Sequence, residues 1–238
     1  MKKGTFLNWI VVFTLILNVN KMNAQTKTDT LDAQEKSIVA ISALTATGDL
    51  ENLKIQLNAG LDAGLTVNEI KEAVVQLYAY CGFPRSLNGI STFMQVLEER
   101  KAKGITDKTG KDATPLKDST DKYERGRKTL ETLTKTPQAK PAPGFGEFAP
   151  RIDAFLKEHL FADIFDSDVL TYQQRELATI SALAAMPGLA SQLQAHIGMG
   201  MNKGITEQQI KTAFDIIENT ISKEQAEKAR AVLAEMKK

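Results

Sequence analysis

His196 and Glu176 are the side chains of this sequence best suited to moving protons. A histidine titrates near neutrality and can deliver or accept a proton. A carboxylate on an adjacent helix would pair with the imidazole and tune it. Plainer readings stand beside this one: a partly buried structural histidine, and for Glu176 a capping or surface-paired carboxylate. The other histidine, His159, lies in the charged run Lys157-Glu158-His159 and reads as exposed and inert. A second group of reactive types falls in the stretch QLYAYCGFPRSLNGI at 76–90. Cys81, the only cysteine, precedes a helix start and has Arg85 close by, a setting that lowers a thiol pKa. Its alternative is a small buried residue. Arg85 offers a planar fork for a carboxylate, or a surface ion pair. Asn88, Tyr78 and Tyr80 can add hydrogen bonds to a substrate. A lone cysteine excludes an internal disulfide. No phosphate-cradling loop, clustered His or Cys ligands, or triad signature is present, so neither a metal nor a cofactor is implied.

The elements that must position these residues are helices in two related sets. Residues 31–44 (LDAQEKSIVAISAL) match 170–183 (LTYQQRELATISAL), and after a one-residue slip 53–74 match 193–214. Such a repeat fixes the architecture. In this register His196 replaces Gln56, and Glu176 replaces Ser37. Capping-box pairs recur at Asp32/Glu35, Thr66/Glu69, Thr171/Gln174, Thr206/Gln209 and Ser222/Gln225. Gly64 and Gly204 are expected to end helices in the left-handed conformation, and Pro84 to begin one. Apolar stripes run through Leu50, Leu53, Leu57 and Leu61; Ile70, Val74 and Leu77; Leu87, Ile90, Met94 and Leu97; and Ile210, Ala213, Phe214 and Ile217. No segment shows the alternation of a strand. Phe155, Leu156, Phe161, Ile164 and Phe165 form a lead-in expected to pack over the second repeat.

The two sets are complementary in what they keep. The first retains YCGFPR, where the second reads ENTISKEQAEK; the second retains Glu176 and His196. One composite site drawing on both repeats is the economical reading.

The wider chain sets the context. Its 238 residues carry a formal net charge of +1, which gives no bulk attraction for nucleic acid or an acidic membrane. Lys2 and Lys3, an apolar run from about Phe6 to Val19, and Met22-Asn23-Ala24 make a secretory signal over 1–24. The run is shorter than the roughly 20 residues a spanning helix needs, so no stable membrane insertion is expected after cleavage. The expected location is a bacterial periplasm. Residues 25–100 form the first repeat and 148–238 the second. Between them 101–147, broken by Pro115, Pro137, Pro141 and Pro143, reads as a linker with a short helix near Tyr123 to Leu133.

The repeated pattern resembles the carboxymuconolactone decarboxylase-like family. The likeness lies in Arg175-Glu176-Leu177, in Gln194-Ala195-His196 followed by Gly204-Ile205-Thr206 and Gln209-Ile210, and in Gly64-Leu65-Thr66 followed by QLYAYCGFPRSLNGI. It spans nearly the whole mature chain apart from the linker. The resemblance implies an all-α fold of the alkyl hydroperoxidase D type, with two tandem helical repeats forming an intramolecular pseudo-dimer. It also implies homo-oligomers, with pockets between helices. A histidine in the His196 region is a feature of the decarboxylase branch. That branch implies a cofactor-free lyase on a small carboxylated lactone or related acid, with Arg85 holding the carboxylate, His196 protonating carbon and Glu176 orienting the imidazole. An exported chain departs from the intracellular decarboxylase of aromatic catabolism, so the substrate would differ. The peroxide-defence branch uses two cysteines followed by a histidine. Here Cys81 has no partner, which argues against a dithiol–disulfide cycle and leaves a one-cysteine peroxidase or a non-catalytic oligomeric binding protein as alternatives.

Overall fold

A computed structural model describes residues 29–115 and 121–236. The expected signal segment lies outside the described residues. From Leu31 onward the described chain is helical, without strands. The first repeat contains α1 (Ala33–Thr47), α2 (Leu50–Asp62), α3 (Val67–Gln76) and α4 (Tyr78–Ala102). An intervening excursion holds α5 (Lys122–Thr134), two short turns α6 (Phe145–Phe148) and α7 (Pro150–Ala154), and a π-helical stretch Phe155–Ile164. The second repeat follows as α8 (Tyr172–Ala185), α9 (Ala190–Asn202), α10 (Glu207–Thr220) and α11 (Lys223–Glu235).

Capping explains where these helices begin. Asp32, Thr66, Thr171 and Thr206 each accept from the third amide onward, and Glu35, Glu69, Gln174 and Gln209 reach back to close the box. Ser222 accepts from the Gln225 amide without the reciprocal bond. Gly64 and Gly204 end their turns at φ 98° and 93°, a region that costs glycine nothing. The one-residue slip between the repeats falls in the loops after α1 and α8, where Gly48-Asp49 is matched by the longer Met186–Leu189.

α1 and α8 are the heart of the molecule and pack along each other. Both are buried on nearly every side, which suits their mix of Ala, Ser, Ile and Leu rather than a one-sided stripe. Around α1 gather Leu53, Leu57, Ile70, Val74, Phe93 and Val96. Around α8 gather Leu193, Ile197, Ile210, Phe214 and Ile217. The stripes of α2, α3 and α10 are therefore core faces, as their spacing predicts.

Half of the stripe expected on α4 holds, with Ile90 and Leu97 partly buried against the core, and half is corrected. Leu87 and Met94 are 55% and 58% exposed, while Ser86, Gly89, Thr92, Phe93 and Val96 face the core. Gly82 breaks the helix at φ 81°, ψ 159°, and Pro84 opens the part that follows, as expected. That part then approaches α1 through small side chains. A Cβ on Gly89 would sit 3.1 Å from both Thr45 Cγ2 and Val74 Cγ1.

Between the repeats, the described residues pack on the rest of the chain through specific contacts. Residues 105–115 have no regular secondary structure and lie along the start of α3. Lys108 O and Thr109 O accept from the amides of Val67 and Asn68 at 2.9 Å. Arg100 is paired with Asp107 and Asp62. The helix expected near Tyr123–Leu133 is α5, and it packs against the π-helical stretch. Leu133, Phe161, Ile164 and Phe165 are buried between them. Phe155, expected to pack inward with these residues, is 55% exposed. Contact between α5 and the π-helical stretch depends on Gly126, where a Cβ would fall 1.7 Å from Lys157 O.

Candidate active site

Glu176 lies early in α8 and is 0% exposed. It takes no part in capping, which Gln174 already performs. His196 lies on α9, also buried. Gly200, one turn further along α9, lets the two helices close: a Cβ there would meet Ile180 Cδ1 at 3.1 Å and Glu176 Cβ at 3.5 Å. The outcome is a short contact between His196 Nδ1 and Glu176 Oε2, 2.7 Å apart. A carboxylate acceptor assigns the proton to Nδ1 and orients the ring. Nε2 has no hydrogen-bond partner among the described residues, and His196 borders a cavity of about 750 Å³.

The first repeat supplies the surroundings of this pair. Tyr80 meets the His196 ring edge-on, with centroids 5.3 Å apart and planes at 81°. Burial, with the Glu176 carboxylate adding to it, pushes the Tyr80 phenol far up, so it stays protonated. Gln76 donates to Arg175 O and to Thr179 Oγ1, both at 2.8 Å. Arg175, fully buried, donates to Gln76 Oε1, Glu72 Oε2 and Ser167 O. Burial lowers the pKa of the Arg175 guanidinium, and Glu72 opposes that shift. Two buried polar atoms here, Glu176 Oε1 and Arg175 Nε, lack a partner, and Tyr80 Oη makes only a weak approach to the Thr179 side chain. Buried polar atoms ordinarily find partners, so their grouping here sets this cluster apart from the apolar core around it.

The repeat symmetry locates a second, altered copy. A pocket of about 250 Å³ is lined by Lys36, Ser37, Ala40, Gln56, Ile216 and Thr220, among others. In the repeat register these stand for Arg175, Glu176, Thr179, His196, Gln76 and Tyr80 respectively. The mirror pocket thus lacks the carboxylate, the imidazole and the phenol together.

The other residues singled out in the sequence fall differently. Tyr78 stacks on Phe83, with centroids 4.5 Å apart, and packs toward Leu130 and Phe161. Its ring also lies 5.5 Å from that of His159. His159 is exposed and pairs with Asp163. Arg85 and Asn88 are exposed. Arg85 Nη1 lies 3.4 Å from Met186 Sδ, and neither residue lines the cavity. Cys81 is half-buried beside Leu77, Ala182 and Met186. Its thiol donates to Leu77 O at 3.2 Å. Burial pushes the thiol pKa up, and Arg85 only partly offsets this, which corrects the expected lowering. Cys81 sits at the end of a helical turn, ahead of the Gly82 break, rather than at a helix N-terminus.

Sequence reasoning missed the supporting residues Glu72, Gln76 and Thr179, and the cluster behind the cavity wall. There Lys157 is 0% exposed. It donates to Asp153 Oδ1 at 2.7 Å, Tyr123 Oη at 2.9 Å and Ala139 O at 3.1 Å. Tyr123 in turn donates to the second Asp153 oxygen. The Arg175-Glu176 run was visible, but nothing marked either residue as buried. Among the described residues, no three His, Cys, Asp or Glu side chains converge as metal ligands.

An all-helical tandem pseudo-dimer with one buried imidazole–carboxylate pair at the junction of its halves is the class that fold and site define. The chain belongs to the carboxymuconolactone decarboxylase family, whose model matches residues 15–92 and 150–235, one match for each repeat. Comparison with curated proteins gives no match.

Proposed function

We propose that this protein is a cofactor-free lyase that removes carbon dioxide from a carboxylated lactone or related unsaturated acid. The observation that carries the reading is the buried His196–Glu176 contact at 2.7 Å, at the edge of a cavity. Family membership agrees with it. In the proposed step the bond to the carboxylate carbon breaks. Its electron pair passes into the conjugated carbonyl, and carbon dioxide leaves. Nε2 of protonated His196 transfers its proton to carbon, and a solvent proton restores the imidazolium. The sum is a carboxylate and a proton giving the decarboxylated product and carbon dioxide. Glu176 holds Nδ1–H throughout and stabilises the imidazolium that must form. The raised thiol pKa of Cys81 gives the peroxidase alternative no comparable support.

The test is turnover on a panel of carboxylated lactones and unsaturated acids, followed as carbon dioxide release. His196→Ala and Glu176→Gln should each lower kcat by roughly 10²–10⁴-fold, the range for a positioned acid–base group. Turnover unchanged in both variants would overturn the reading.

A further inference from the structure

The cavity beside His196 has a composition that speaks to its ligand. One wall is a face of α9 carrying Ala195 and Met199. The facing wall comes from the excursion between the repeats, through Leu130, Ile152, Leu156 and Phe161. At about 750 Å³ it falls in the roughly 300–1,000 Å³ range that encloses drug-sized molecules. A small lactone acid would leave most of that lining unfilled. Lys157 is the only Lys or Arg among the lining residues. Its three N–H donors are already engaged by Asp153, Tyr123 and Ala139, which exhausts an ammonium group. Arg85, the expected carboxylate holder, is elsewhere.

We infer that the substrate is an acid with an extended apolar body, alkyl or aryl, which fills this cavity and sets its reacting carbon at His196. This rests on the His196–Glu176 reading for the chemistry, but the apolar cavity is testable on its own. The apolar body supplies binding through buried area. A carboxylate set against this largely apolar lining, with no guanidinium or free ammonium to pair with it, is less well solvated than in water, which favours its loss as neutral carbon dioxide. The site therefore needs no guanidinium clamp.

The experiment uses the full chain and N-phenyl-1-naphthylamine, a neutral fluorophore that brightens in apolar surroundings. The probe should bind with a Kd of order 10 μM or tighter, typical of a modest small-ligand site. Ala195→Trp and Gly198→Leu should each weaken it at least ~10-fold, about one decade in Kd. Both positions line the cavity, Ala195 is exposed, and a Cβ at Gly198 meets only Met236 Cε, at 3.9 Å, so neither change crowds the core. An octyl-substituted lactone acid should displace the probe, and its unsubstituted parent should not. Absent binding, binding indifferent to both substitutions, or equal displacement by the two acids would overturn the inference. His196→Ala should leave probe binding intact. Turnover lost in that variant without any probe binding would keep the catalytic reading and reject this one. Probe binding blocked by Ala195→Trp, with turnover indifferent to His196, would do the reverse.

Discussion

Gln76 and Arg175 hold each other twice across the repeats: the amide nitrogen donates to Arg175 O at 2.8 Å, and Arg175 Nη1 donates back to the amide oxygen at 3.0 Å. Both are fully buried, and the pair fixes α3 of one repeat against the start of α8 of the other. Gln76→Leu keeps the volume and removes both bonds, leaving a buried guanidinium and carbonyl short of partners. We expect a loss of about 2–3 kcal/mol, the cost of stranding buried polar groups, read by urea unfolding of the variant against the parent.

Tyr80 should separate stability from function. Its hydroxyl is buried with only a weak approach to Thr179, so Tyr80→Phe removes a poorly satisfied group, which costs little or nothing. Turnover should nonetheless fall by roughly tenfold, equivalent to ~1.4 kcal/mol of transition-state stabilisation. A Tm close to the parent's, with lower kcat, meets the prediction. A lower Tm with unchanged kcat would assign the hydroxyl to the fold.

Behind the cavity wall, burial favours the neutral form of Asp153, but the Lys157 and Tyr123 hydrogen bonds outweigh it and hold the carboxyl below the ordinary range. A folded pKa below the unfolded one means that this contribution is fully present above the unfolded value near ~4. It fades as pH falls through the lower folded value. Unfolding scans from neutral to acid pH should show a steeper acid limb in the parent than in Asp153→Asn. Lys157→Met, which strands the carboxylate, should cost about 3–5 kcal/mol at neutral pH, as breaking one side of a buried pair does.

Cys81 should be a slow thiol. Because burial raises its pKa, the thiolate fraction at neutral pH lies below that of free cysteine, and thiolate is the reactive form. Iodoacetamide should alkylate it more slowly than it does free cysteine, and Cys81→Ser should leave peroxide consumption unchanged. Faster alkylation than free cysteine would reopen the thiol chemistry.

Much of this was legible before folding. The repeat, four complete capping boxes and the core stripes of α2, α3 and α10 follow from local rules. Glu176 and His196 stood out because the first repeat has Ser37 and Gln56 in their places. The face of α4 was misread because it packs through Ser86 and Gly89, and close approach by small residues leaves no hydrophobic signal. Arg85, Asn88 and Cys81 were grouped with the catalytic pair on motif alone, but Arg85 and Asn88 follow the Gly82 break on an exposed surface. Leu156 and Phe161 of the cavity wall stand in the lead-in whose apolar residues are expected to pack over the second repeat, but Leu130 and its neighbours were hidden in a stretch whose Pro, Lys and Thr content reads as linker. The wall's order depends on one buried lysine and one glycine, neither visible in composition.

The mirror pocket has a consequence for how such a chain can vary. In a symmetric dimer of identical subunits, every substitution is made twice, so a change that frees one site damages the other. Joining the two copies in one polypeptide removes that bond. In the first repeat Ser37 and Gln56 stand where the second has Glu176 and His196, while Glu72, Gln76 and Tyr80 of the first repeat contact residues of the second. A second repeat cut free would keep the His196–Glu176 pair but lose the Glu72, Gln76 and Tyr80 contacts that the first repeat lays around it.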